Sequence, residues 1–428
     1  MPPAAPLSGA TPEARESEAI GFVLDLGRAL HRLGHPSHWL EEALDRASRR
    51  LALTGQFFTT PTSIFAAFGE QSRQRTWLLR VEPGELHLER LVRVVETGRD
   101  VLAGRLSPAQ GSAAIRAILS SAPRYGAVVT ALAFALSAAA AGRFLGGGVP
   151  EIVAASALGV VVSLVAALAE RLPAIGRVFE PLAAFVVAAL ATAIARATPL
   201  AVYPTTVAAI LVLLPGLAFT AAMAELSSQH LVSGTARLTW ASVRFVALAF
   251  GVASGQRVAA LLLGAPAVVT PVPPPGWTEW LALLLAPLAF CVLLRARPRD
   301  FPSMLAIGTT AFFAGRVAGQ TFGAELGPLV GTFTAAALGN LLARRTGLPP
   351  QVTLVPAILL LVPGSVAFRG LALMLDREVL SGVDAAFRAL VFVSAMVAGL
   401  LLASVVAPAP PLTAERDRPQ RAARGASS

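Results

Sequence analysis

From residue 125 to residue 407 the chain is a succession of long apolar stretches, separated by short breaks that carry Pro, Gly or charge. A helix rises 1.5 Å per residue, so about 20 apolar residues cross the ~30 Å hydrocarbon core of a bilayer. The pattern predicts ten transmembrane helices, near 126–145, 149–170, 179–198, 204–225, 236–263, 279–295, 301–319, 326–344, 352–375 and 384–406. The longest break, 265–277, holds Pro266, Pro271, Pro273, Pro274 and Pro275. Such a run cannot continue a helix and predicts a stiff linker. Trp277 and Trp280 beside it suit a membrane interface.

Upstream the periodicity changes. Ile20, Val23, Leu24, Ala29, Leu30 and Leu33 recur at three- and four-residue spacing and predict a helix over 17–34. Leu40, Leu44, Ala47 and Leu51 predict a second, over 37–53. Strands are expected at Phe57–Phe68 and Trp77–Val81, then helices at 86–102 and 108–121. The predicted layout is a flexible tail (1–16), a small cytoplasmic α+β domain (17–124), a first five-helix membrane unit (125–264), the Pro-rich linker (265–277), a second five-helix unit (278–407) and a cytoplasmic tail (408–428). The fold class is mainly α: a polytopic membrane protein preceded by a small α+β domain.

The two membrane units are copies. Residues 200–251 recur at 348–399 without a gap, anchored by Ile210-Leu-Val-Leu-Leu-Pro-Gly216 and Ile358-Leu-Leu-Leu-Val-Pro-Gly364. Ser233-Gly234 matches Ser381-Gly382, Ala241 matches Ala389, and Gly251 matches Gly399. Upstream at the same offset, Phe185 matches Phe333 and Arg196 matches Arg344. An odd number of spans per copy makes the copies cross in opposite directions, an inverted repeat. Paired interrupted helices in inverted copies point to a transporter.

The net charge is +10, and every basic residue is Arg. Past the N-terminal domain, arginines gather at expected cytoplasmic span ends: Arg171 and Arg177, Arg295, Arg297 and Arg299, Arg344 and Arg345, and the Arg416–Arg424 tail. That distribution explains the charge by the positive-inside rule and excludes nucleic acid as the partner. Arg143, Arg196 and Arg257 run against it singly. Both termini are then cytoplasmic, and no secretory signal pattern opens the chain. Cys291 is the single cysteine, which rules out a disulfide framework and a thiolate metal site.

Leu26-Gly-Arg-Ala-Leu-His-Arg-Leu-Gly34, Glu41-Glu42 and Thr59-Thr-Pro-Thr-Ser63, followed by two units with a Pro-Gly-interrupted fourth span, resemble the threonine/serine exporter family in its full-length two-unit form. The resemblance covers roughly residues 18–405. It implies export of small hydroxy-amino acids from the bacterial cytoplasm across the inner membrane, driven by the proton motive force. Some relatives in that family are associated with dicarboxylates such as succinate.

Candidate chemistry centres on the breaks. A mid-helix Pro lacks an N–H, so Pro215 and Pro363 are expected to leave the Leu211 and Leu359 carbonyls unpaired. In hydrocarbon such a carbonyl needs protein, water or a ligand. Gly216 and Gly364 permit unwinding. The substrate site is therefore expected between the two broken helices; Pro kinks that only shape packing are the alternative. Thr192 and Asn340 occupy equivalent positions and could bind substrate or join helices; Thr332 and Thr334 lie close to Asn340 in sequence. Arg237, Trp240 and Arg244 share one helix face; Arg237 is expected to snorkel, and Arg244 to meet a carboxylate of protein or substrate. Glu180, Glu225 and Asp384 are the proton-coupling candidates, with Asp384 and Arg388 spaced for an intrahelical pair. His31, His35 and His38 are interrupted by Gly34 and Pro36, so no metal and no cofactor are expected, and no GxxxxGK motif supports ATP use.

The leading expectation is thus a secondary active antiporter, not an enzyme, with a small-molecule substrate, protons and the bilayer as partners; self-association stays open. A dicarboxylate exporter, a membrane-embedded enzyme with a catalytic N-terminal domain, and a scaffold recruiting cytosolic partners through 17–53 are the rivals.

Overall fold

The structure, a computed structural model, describes residues 11–361 and 379–410, apart from positions 71, 83 and 85. Two compact units divide the chain. One gathers the residues up to Ala122 with Gly339–Pro350 and the residues from Ala407 on; the other comprises Pro123–Leu338 and Gln351–Val406.

The first unit opens with helix α1, Pro12–Arg32, whose start is set by Thr11: its hydroxyl accepts from the Ala14 amide at 3.3 Å. Pro12 fits the first helical position, where no N–H is needed. Helix therefore begins inside the stretch expected to be tail. Helix α2 covers Ser37–Arg50. The segment Phe57–Phe68, expected as one strand, is a hairpin. β1 (Gly55–Thr60) and β2 (Ser63–Phe68) pair antiparallel around Pro61-Thr62, and β3 (Arg75–Arg80) adds to β2. Pro61 cannot serve a ladder, so the chain turns there. Ile64, Ala66 and Phe68 alternate into the core, while Phe58, Phe65 and Leu78 face outward. Helices α3 (Leu88–Leu102) and α4 (Pro108–Leu119) complete the unit, and Phe22, Leu30, Leu44, Leu91 and Ile115 are buried in it.

The second unit is helical among its described residues. α5 (Ala127–Phe144), α6 (Val149–Arg171), the single turn α7 (Pro173–Gly176), α8 (Phe179–Ala197), α9 (Val202–Ile210), α10 (Gly216–Ser227) and α11 (Leu231–Leu263) come first. Then follow α12 (Thr278–Leu293), α13 (Phe301–Phe322), α14 (Leu326–Thr346, whose last turns are grouped with the first unit), α15 (Gln351–Leu360) and α16 (Val379–Val406). Six described helices are long and apolar enough to cross a membrane, seven if α9 and α10 count as one bent span. α13 is long enough, but Ser303, Thr309, Thr310 and Arg316 dilute it, and α12 is apolar but short. The stretch between α11 and α12 carries no helix. Along α11, Val243, Val246 and Phe250 are exposed, as on a helix face made for lipid.

Small residues set the closest approaches. α11 packs most extensively on α8, over Ala183, Ala184, Val187, Ala188 and Ala191. At Gly251 a Cβ would lie 2.4 Å from the Pro181 carbonyl oxygen, so only glycine fits. At Gly399 on α16 a Cβ would lie 2.4 Å from the Leu329 carbonyl oxygen. Gly399 and Leu329 are the repeat partners of Gly251 and Pro181, so the duplicated sequence makes the same helix–helix contact twice.

Candidate functional site

The first Pro-Gly pair breaks its helix. Pro215 has no N–H to offer the Leu211 carbonyl, and α9 ends at Ile210. The chain then tightens into a 3-10 turn, Leu211–Leu213, and the Leu214 amide reaches the Leu211 carbonyl at 3.1 Å. That carbonyl, expected to be unpaired, is thus satisfied locally, because a tighter turn lets the next free amide replace the missing one. Gly216 donates to the Leu214 carbonyl at 2.8 Å, and α10 restarts with Phe219 donating to Pro215 at 2.9 Å. The two pieces are bent by 58°. α10 packs on α11, α15 and α16, so the second half of the broken helix touches the helix that precedes the second Pro-Gly pair in sequence. Pro363 and Gly364 themselves lie outside the described residues.

Each proton-coupling candidate faces a guanidinium. Glu225 on α10 is fully buried and takes a two-pronged contact from Arg237 on α11, Nε to Oε2 and Nη2 to Oε1 both at 3.1 Å. The Ser233 hydroxyl adds a bond to Oε2 at 2.9 Å. Arg237, expected to snorkel, turns inward instead, because the tight α10–α11 reversal carries Glu225 beneath it. Glu180 on α8 pairs with Arg244, whose guanidinium also sits 4.6 Å from the Trp240 ring centroid. Asp384 and Arg388 form the intrahelical pair at 2.9 Å, well exposed.

The polar candidates stay close to backbone. Thr192 is buried and donates to its own helix at Ala188, 2.8 Å. Thr334 does the same to Val330 at 2.8 Å. Asn340 donates from Nδ2 to the Ala407 carbonyl at 2.7 Å. The Ser137, Thr206 and Thr332 hydroxyls are buried and make no hydrogen bond to described residues.

Two buried acids escaped the sequence reading. Asp300 is paired with Arg297 at 2.8 Å. Glu151, in the first turn of α6 and 2% exposed, accepts from the Gly148 amide at 2.8 Å and, fifty residues on, from the Ala201 amide at 2.8 Å. Its signal was an acid at the third position of a span, a place that reads as ordinary helix capping.

In the first unit, the segments that carried the family resemblance converge. Glu41 accepts from the Thr59 amide at 2.7 Å and its hydroxyl at 2.9 Å. His31 Nε2 lies 2.7 Å from the Thr60 carbonyl, and Thr60 and Ser63 hydroxyls are 2.7 Å apart. His35 stacks on Trp39 rather than joining His31.

A unit of apolar helices, one broken by Pro-Gly, with buried charges paired across helix boundaries, defines a multi-pass membrane protein. A family model described as "Putative threonine/serine exporter" matches residues 21–259, and one described as "Threonine/Serine exporter, ThrE" matches 279–406. The chain belongs to the threonine/serine exporter family. It is similar to an uncharacterised Schizosaccharomyces pombe protein, 24% identical over 82% of this chain and 44% of the relative. It is similar too to pheromone-regulated membrane protein 10 of Saccharomyces cerevisiae, 26% identical over 81% of this chain and 46% of that protein. The same-named Yarrowia lipolytica protein is 27% identical over 82% of this chain and 30% of its own length. The chain thus spans less than half the length of these curated relatives. No solved structure matches it.

Proposed function

We propose that this protein is a secondary active exporter of small hydroxy-amino acids, threonine or serine, driven by the proton gradient across a bacterial inner membrane. Ten spans, in two inverted five-helix units after a cytoplasmic domain, form it, with both termini inside. Substrate binds where the two broken helices meet, near the bilayer midplane. The observation that carries this reading is the 58° break at Pro215–Gly216, placed in the stretch that the sequence duplicates and packed, through α10, on α15. An equivalent break at the second Pro-Gly pair would supply helix ends and a change of direction around one site, which alternating access requires. Family membership supports the substrate class.

Counterflow in proteoliposomes tests it, with labelled threonine, serine and succinate compared in parallel, with and without an imposed pH gradient. Threonine or serine exchange stimulated by the gradient is the expected result. Succinate exchange alone would assign a dicarboxylate carrier instead, and silence for all three would remove the reading. Pro215→Ala lets the 3-10 turn relax toward a continuous helix, and we expect transport to fall on the order of tenfold or more, equivalent to about 1.4 kcal/mol per decade. Unchanged transport in Pro215→Ala would detach the break from the site.

A further inference from the structure

Three carboxylates in the described part of the second unit are buried: Glu151, Glu225 and Asp300. Glu225 faces Arg237 and Asp300 faces Arg297. Glu151 meets no cation among the described residues; its partners are two backbone amides, Gly148 and Ala201. An ionisable side chain buried in an apolar unit without a counter-charge is expensive, and in membrane proteins such groups mark proton and substrate paths.

Among the described residues, no charged side chain on the helices packed against α6 pairs with it. α6 packs on α5, α7, α8 and α9. The one charged side chain of α5, Arg143, donates to Thr278 Oγ1 at 2.7 Å. α8 carries Glu180, paired with Arg244, and Arg196, which donates to the Ala265 carbonyl at 3.0 Å. α7 has no ionisable residue, and α9 has only Tyr203. Glu170 and Arg171 sit exposed at the far end of α6.

We propose that Glu151 is the proton-binding residue of this carrier and a latch on its first broken helix. The proposal rests on the transporter reading above for its purpose, though not for its chemistry. Ionised, the carboxylate accepts through both oxygens and ties the start of α9 to the start of α6. Protonation adds one O–H bond at a carboxylate oxygen and turns that oxygen into a donor. That oxygen is then a poorer acceptor, and the amide bound to it is held less tightly. Gly148 lies three residues away on the same turn and keeps its geometry, so the bond that yields is the one to Ala201. That frees the entrance of α9, and with it the angle between α9 and α10. In the proposed topology this end of α6 faces outward, where the proton motive force delivers protons. Glu180, Glu225 and Asp384, each held by an arginine, serve as structural anchors in this account.

The test reads the latch before it reads transport. Hydrogen exchange of the whole protein in detergent or nanodiscs reports protection over 198–206 from pH 8 to pH 4.5, corrected for intrinsic exchange rates. We expect protection to fall by about tenfold on acidification in the wild type, the factor that about 1.4 kcal/mol of lost hydrogen bonding gives. In Glu151→Gln it should be low at both ends of the range. Wild-type protection that ignores pH overturns the proposal without any variant. In proteoliposomes, the ratio of gradient-driven to gradient-free flux should fall toward unity in Glu151→Gln; a wild-type ratio in that variant also overturns it. If the wild type moves neither threonine nor serine, the exporter reading fails, while the exchange data still decide whether Glu151 is a proton-operated latch.

Discussion

At the scale of the residue, what distinguishes this protein is how its few buried charges are held. Glu225 is enclosed by a guanidinium fork and a hydroxyl, so removing either charge strands the other in an apolar surrounding. Glu225→Gln should destabilise the protein by about 3–5 kcal/mol, the cost of breaking a buried pair, read as thermal or denaturant unfolding in detergent. Replacing both partners, Glu225→Leu with Arg237→Met, should recover most of that loss, because no unpaired charge remains. A double variant as unstable as the single would mean the pair holds the α10–α11 turn by geometry alone. Glu41→Ala should cost about 1–3 kcal/mol in the same assay, since the buried Thr59 amide and hydroxyl lose their acceptor. The sequence marked Glu180, Glu225 and Asp384 as the acids to watch, yet showed a partner only for Asp384, four residues from Arg388. The partners of Glu180 and Glu225 lie across helix boundaries, and spacing along one helix carries no information about them. Glu151 was passed over for the same reason: one of its two bonds looks like a helix cap, and the other reaches a distant element.

At the scale of the element, helix positions were largely legible, because apolar runs of span length have little choice but helix. Among the described residues the structure moved ends by a few residues, and the fourth span is interrupted at Pro215-Gly216 as the sequence predicts. What the pattern missed was turn chemistry, at Pro61-Thr62 and at Thr11-Pro12. Helix pairing was legible only in part: the repeat matched Gly251 with Gly399, but not their contacts. Gly251→Leu should force α11 off the Pro181 carbonyl and cost about 1–3 kcal/mol or more, seen as a lower unfolding temperature. Gly399→Leu should do the same against Leu329. If only one of the two destabilises, the copies do not share this packing.

At the scale of the whole molecule, the proposed ten-span topology makes a directional prediction. With Cys291→Ala as background, Thr270→Cys should react with an impermeant maleimide from outside intact cells. Arg299→Cys should react only after permeabilisation. Both residues are exposed on the protein, so silence would come from the membrane and not from burial. Labelling of both from the same side would remove one span between them and with it the five-plus-five arrangement.

By itself the sequence determined that the chain is built on membrane-length apolar helices, that part of it is duplicated around a Pro-Gly pair, and which family it resembles. These follow from periodicity, length and recurrence, all local or linear properties. Only the tertiary structure decided how the Leu211 carbonyl is satisfied, which arginine meets which acid, and that Glu151 bridges two helices with no cation paired to it among the described residues. Hydrogen bonds and ion pairs between elements depend on three-dimensional proximity, and a linear pattern does not contain that distance.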